Sequence, residues 1–184
     1  LFLSHTHLDH VNGFPFFKPA YHPDVHLTVW AGHLRPESHI REQMDNLMAA
    51  PLFPVGVDIM SQRLEFKDFD AGQTLEPYDG VVVKTCLLNH PNRATGYRVE
   101  YQGKSICYVT DTEHEEGVLD QAILELVQGA DIFIYDSNFT DDDYPQFKGW
   151  GHSTWQEGVR LAQAAGVKMF VAFHHDPSHD DHFM

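Results

Sequence analysis

The chain has 184 residues, 42% of them hydrophobic and 21% charged, which is ordinary usage for a single globular domain. Its 12 basic residues face 27 acidic ones, a net charge of −15 with neutral histidines, and such a surface repels polyanions and disfavours a large nucleic-acid substrate. No apolar run approaches the length of a membrane span, no signal peptide is visible, and a domain of this size buries roughly 70% of its unfolded surface without disulfides or a structural metal.

In chain order, "LFLS" reads as a strand that ends at "HTHLDH". "VNGFPFF" reads as a short helix or turn, with Phe14, Phe16 and Phe17 assigned to the core, or one of them to a pocket wall. "HLTVWA" (26–31) is a strand, 36–50 a helix with Pro36 in its first turn, and "LEFKDF" a strand. "VVVKTCLL" (81–88) is a buried strand, and "GYRVEYQGKSICYVTD" a hairpin turning at Gln102-Gly103. Residues 118–128 form an amphipathic helix, "DIFIYDS" a buried strand, 153–165 a helix stopped by Gly166, and "VKMFVAFH" a last buried strand. Apolar strands alternating with helices argue for a layered α/β domain. Cys86 and Cys107, the only cysteines, lie inside apolar strands and read as reduced core residues of a cytoplasmic protein, a disulfide between neighbouring strands being the alternative. The chain lacks a starting Met, opens on a very short strand and stops without a closing element, which suggests part of a longer protein.

Residues able to ligate metal gather where these strands end. His5, His7, Asp9 and His10 follow the first strand. His90, Asp111 and His174 each end another. Strand ends on one side of an α/β sheet are where such folds build sites. Imidazole with carboxylate suits zinc, manganese or iron rather than calcium. Taken singly, His90 could be a loop histidine beside Pro91, His174 an ordinary strand-end histidine, and Asp111 a helix N-cap; beside "HTHLDH" the joint pattern outweighs those readings.

These residues carry a resemblance. "SHTHLDH" resembles the HxHxDH signature of the metallo-β-lactamase-fold hydrolases, and the likeness continues in order through His90, Asp111 in "VTDT", and His174. It implies an αββα sandwich, a fold whose first strands normally precede that motif. It implies two divalent metal ions, zinc first with manganese or iron as alternatives. Carried over, His5, His7 and His90 hold one ion, Asp9, His10 and His174 the other, and Asp111 bridges both. "GHSTW" is similar to the His-Ser-Thr element of ribonuclease Z and the related small phosphodiesterases. That likeness gives His152 the role of contacting the scissile phosphate or protonating the leaving group, with Asp9 orienting the nucleophile. Without the resemblance, Ser153 caps the next helix and His152 is exposed.

Ribonuclease Z carries a long arm for tRNA between the third histidine and the bridging aspartate. Here only a hairpin separates His90 from Asp111. tRNA is therefore set aside in favour of a small or cyclic phosphodiester. A thioesterase of glyoxalase II type, or a non-catalytic metal-bound sensing module, are the other readings. His175, Asp176, His179, Asp180 and Asp181 either rim the pocket or form a solvated tail. His22, His26, His33, His39 and His114 are expected at the surface or at helix edges, His114 having a supporting role near Asp111 as its alternative.

Overall fold

The computed structural model describes residues 1–180, so Asp181 of the terminal acidic cluster lies outside the described residues. The backbone divides into two units, Leu1–Asp70 and Ala71–Met184.

The first unit holds a parallel sheet of β1 (Phe2–Leu3), β2 (Leu27–Ala31) and β3 (Leu64–Asp68), in that order. Its core gathers Leu3, Val11, Val29, Ala31, Ile40 and Met44. The motif after β1 is partly helical: α1 (Leu8–Val11) is a single turn that carries Asp9 and His10. The expected helix over 36–50 is shorter, α2 (Ile40–Leu47). It starts late because its cap comes from another strand: the Ile40 N–H donates to Asp68 Oδ1 at 2.9 Å, which leaves Pro36 outside the helix. Ile40 and Met44, one turn apart, are its buried face. Of the three phenylalanines expected in the core only Phe14 is buried; Phe16 is exposed against the edge of Phe53.

The second unit holds six strands in sequential order: β4 (Thr74–Tyr78), β5 (Val81–Leu88), β6 (Ala94–Tyr101), β7 (Lys104–Val109), β8 (Ile132–Asp136) and β9 (Phe170–Phe173). Pairing is antiparallel from β4 to β7 and parallel from β7 to β9. The β6–β7 hairpin turns at Gln102 (φ 48°) and Gly103 (φ 73°), the left-handed pair that a two-residue loop between twisted strands requires. α3 (Gln121–Val127) crosses from β7 to β8, and α4 (Trp155–Ala164) from β8 to β9. Because β5, β7, β8 and β9 run the same way, their C-terminal ends lie along one edge of the sheet. β4 was not anticipated: it contains Pro77, sits at the sheet edge and breaks register between Leu75 and Tyr78, where proline is tolerated.

α3 is capped by Asp120, which accepts from the Ile123 N–H at 3.1 Å. α4 is capped by Thr154, not Ser153: the Thr154 hydroxyl accepts from the Glu157 N–H at 3.1 Å, and Ser153 is fully buried. Val109, Ile123, Val127, Phe133, Tyr135 and Leu161 form the core beneath these helices. Cys86 and Cys107 are buried free thiols, as expected, and burial raises their pKa to about 12 and about 11. The last strand is only half-buried, because among the described residues β9 pairs with β8 alone at the sheet's edge. No helix among the described residues is long and apolar enough to cross a membrane.

Gly158 sits inside α4, where alanine would ordinarily stabilise by about 1 kcal/mol. Here an added Cβ would meet the rings of Phe170 and Tyr135 at 2.6 Å. Overpacking wins: Gly158→Ala should lose about 1–3 kcal/mol in chemical denaturation, and a gain in stability would contradict this packing.

Candidate metal centre

In the first unit the turn after β1 concentrates nitrogen donors. The buried His5 ring lies edge-on to His7 at 4.5 Å between centroids and tilted against His10 at 4.2 Å. Ser4 Oγ lies 3.2 Å from His5 Nδ1, and Asp9 Oδ2 lies 3.1 Å from His10 Nε2. Four of the expected ligands are thus presented by one turn of chain. His33, expected at the surface, is buried, and its Nε2 lies 3.1 Å from the Thr6 hydroxyl, between the two first ligands in sequence.

In the second unit the strand ends bring His90, Asp111, His152 and His174 together. His90 Nδ1 donates to the Gly151 carbonyl at 2.8 Å. That bond puts a proton on Nδ1, so that in a neutral ring the lone pair lies on Nε2. Asp111 is buried at the end of β7, its Oδ1 accepting from the Thr110 hydroxyl at 2.8 Å. One carboxylate oxygen faces each neighbouring imidazole: Oδ2 is 3.7 Å from His90 Nε2, and Oδ1 is 3.6 Å from His174 Nε2. Two donors each about 2.1 Å from one tetrahedral ion lie roughly 3.4 Å apart, so both spacings suit shared coordination. Asp111, His152 and His174 offer ligand atoms that all lie within 4.8 Å of one another. Asp111 (φ 57°) and His174 (φ 61°) both hold the left-handed backbone, which costs a non-glycine residue about 1–3 kcal/mol and clusters at functional sites. The donor chemistry, imidazoles with a carboxylate that offers its two oxygens in two directions, fits divalent metal.

His152 is placed by a residue that sequence reasoning missed. Asp136 ends β8 fully buried, and its Oδ2 accepts from His152 Nδ1 at 3.0 Å. The same carboxylate accepts from the Thr112 N–H and the Asn138 N–H, both at 3.2 Å. The Asn138 amide donates to the His174 carbonyl at 3.1 Å. The His152 ring stacks on His174 at 5.0 Å and meets Phe139 edge-on at 6.2 Å. Phe139 stacks on Phe147 at 4.4 Å, and Phe147 meets the exposed Trp150 at 5.5 Å. The strand-end logic applied to Asp111 in "CYVTD" would also have found Asp136 in "IFIYD".

Ser153 does not cap α4 but joins a buried network. The Tyr135 hydroxyl donates to Ser153 Oγ at 2.9 Å, and Ser153 Oγ lies 2.8 Å from His114 Nδ1. His114, favoured at the surface, is buried and stacked on Tyr144 at 4.1 Å, and that burial lowers its pKa. His22, His26 and His39 are exposed, as expected. His175, Asp176 and His179 are half-buried and Asp180 is exposed; Asp176 Oδ1 closes a local turn by accepting from the Ser178 N–H at 2.7 Å.

The chain matches the family model of the beta-lactamase superfamily domain over residues 1–175 and belongs to that family. With the donors above, membership implies divalent metal ions. Ribonuclease Z of Halorubrum lacusprofundi is 27% identical over 151 residues, covering 82% of this chain and 42% of that protein. The chain spans less than half the length of the curated ribonuclease Z relatives it matches. Among solved structures, the metallo-beta-lactamase fold protein YhfI from Bacillus subtilis has a TM-score of 0.72 at 18% identity, covering 99% of this chain and 67% of that one. A diphosphatase from the PhnP family has a TM-score of 0.64 at 19% identity, covering 95% and 59%. These two likenesses establish the metallo-β-lactamase fold.

Asp136→Ala would strand two buried backbone N–H groups, each at a cost of about 1–3 kcal/mol. Chemical denaturation should show a loss of roughly 2–5 kcal/mol, and less for Asp136→Asn, which keeps one acceptor oxygen. A loss well under 1 kcal/mol would contradict the organising role given to this carboxylate.

Proposed function

We propose that the chain is a dinuclear hydrolase acting on phosphodiesters. In that reading, which follows the HxHxDH resemblance, His5, His7 and His90 would hold one ion, Asp9, His10 and His174 would hold the other, and Asp111 would bridge them. The observation that carries this reading is the Asp111 carboxylate, which turns one oxygen toward His90 Nε2 and the other toward His174 Nε2. The ribonuclease Z relatives and the HxHxDH resemblance support it. Zinc is the first candidate for both ions. Two divalent ions, when bound, supply a nucleophilic hydroxide from water at neutral pH and neutralise charge on the phosphoryl oxygens.

The protein's own residues do the rest. Asp136 holds His152 by Nδ1, which leaves Nε2 to face the leaving oxygen and give it a hydrogen bond or a proton. Asp9, in the single turn of α1, orients the attacking oxygen while it ligates. Trp150, exposed and two residues before His152, offers an aromatic surface for the organic part of a small substrate. The net charge of −15 supports a small diester over a long polyanion. The deciding assay measures turnover of bis-p-nitrophenyl phosphate, a cyclic nucleotide, a precursor tRNA and a thioester by the metal-loaded protein. Diester turnover with little thioester turnover is expected, and thioester turnover alone would overturn the reading. Efficient cleavage of the tRNA would correct the substrate size and keep the reaction.

Asp111→Ala should lose affinity for both ions together, whereas His174→Ala should weaken one. Metal analysis showing both positions full in the Asp111 variant would remove the bridging role. His152→Ala should keep its metal while kcat falls by roughly 10²–10⁴ on a poor leaving group, and by less on p-nitrophenolate, which needs little protonation. Unchanged kcat on both substrates would leave His152 without this role.

A further inference from the structure

We propose that Glu113 is the positioning residue that holds His90 and the loop leading into His152, through a closed circuit of hydrogen bonds. The inference rests on the reading of His90 as a metal ligand. The Glu113 N–H donates to the Asn89 carbonyl at 2.7 Å, and the Asn89 side-chain amide donates back to the Glu113 carbonyl at 2.9 Å. The residue before His90 is thereby fixed to the residue two after Asp111. The Glu113 carboxylate reaches the other way. Its Oε2 accepts from the Gly149 N–H at 2.8 Å and from the Gly151 N–H at 2.9 Å. The Gly151 carbonyl then accepts the proton of His90 Nδ1 at 2.8 Å. Glu113 therefore anchors both the backbone of His90 and the group that orients its ring.

The loop needs such an anchor. Gly149 (φ 89°) and Gly151 (φ 85°) hold left-handed conformations, and glycine has the most conformational freedom to lose. Gly151 admits no side chain, since a Cβ there would meet His90 Nδ1 at 2.4 Å and Pro91 Cδ at 2.3 Å. Trp150, between them, is largely exposed and contributes little burial to hold the turn. Bonds to a carboxylate are about twice as strong as neutral ones. One carboxylate oxygen facing two N–H groups is thus a strong restraint on the segment that presents a carbonyl to His90 and enters His152. The exposed Lys148–Glu116 pair at 2.6 Å adds a weaker tether on the same loop.

The test compares Glu113→Ala, Glu113→Gln and Asp120→Ala, the last removing the α3 cap as a control for general destabilisation. Two readouts are taken on the full chain. Imidazole ¹H–¹⁵N NMR of the metal-free protein reports whether His90 keeps one tautomer protonated on Nδ1. Competition with a chromophoric chelator reports zinc affinity. Glu113→Ala should let His90 sample both tautomers and weaken zinc binding by about 10–100-fold, the scale for losing a partner that orients a ligand. Glu113→Gln, whose side-chain oxygen can accept the same two N–H groups, should recover most of both. Asp120→Ala should change neither. A Glu113→Ala protein with wild-type imidazole signals and zinc affinity overturns the proposal, as does an equal loss of affinity in Asp120→Ala. If His90→Ala keeps wild-type zinc affinity, the ligand reading fails by itself, and the metal-free imidazole spectra still judge Glu113.

Discussion

The buried carboxylate of Asp136 is the interaction on which the second unit's cluster of polar strand ends depends. It sits at the end of β8, between β7 and β9, and each of its bonds reaches a different part of the site. The Thr112 N–H brings in the segment after Asp111. The Asn138 N–H brings in the residue whose amide holds the His174 carbonyl. His152 Nδ1 brings in the imidazole beside them. A fully buried carboxylate with no partners would be prohibitively costly, so the three donors and the acceptor specify one another. Parallel pairing from β7 to β9 makes this possible, because it delivers all three strand ends to one edge of the sheet.

The segment Asp111–His114 extends the same principle along the chain. Asp111 presents its carboxylate to His90 and His174, the Thr112 N–H reaches Asp136, Glu113 reaches the glycine loop, and His114 reaches Ser153. Four consecutive residues thus tie together the ends of β5, β7, β8 and β9 and the turn before α4. The left-handed backbone at Asp111 is what aims successive side chains in such different directions, and the surrounding bonds hold it there.

Much of this was legible in the sequence because the signals were local. The alternation of apolar runs and helices placed β5 at its observed bounds and located the β6–β7 hairpin by its Gln102-Gly103 turn. The candidate ligands announced themselves as polar residues where apolar strands stop. What the sequence hid was set by partners distant along the chain. Asp68 caps α2 across 28 residues, so no local cap motif marks Ile40. His33 and His114 are buried because Thr6, Ser153 and Tyr144 meet them in three dimensions, and nothing in their immediate neighbours says so. Asp136 and Glu113 carry no motif of their own; their roles exist only once the glycine loop and His152 fold over them.

The central claim is that the Asp111 carboxylate joins two metal ions, each also held by one of the histidines it faces. Anomalous diffraction from crystals of the zinc-loaded protein tests it most directly. The account predicts two peaks about 3.5–4 Å apart, with Asp111 ligating both, His90 on one and His174 on the other. A single peak, or two peaks that Asp111 does not bridge, would contradict it.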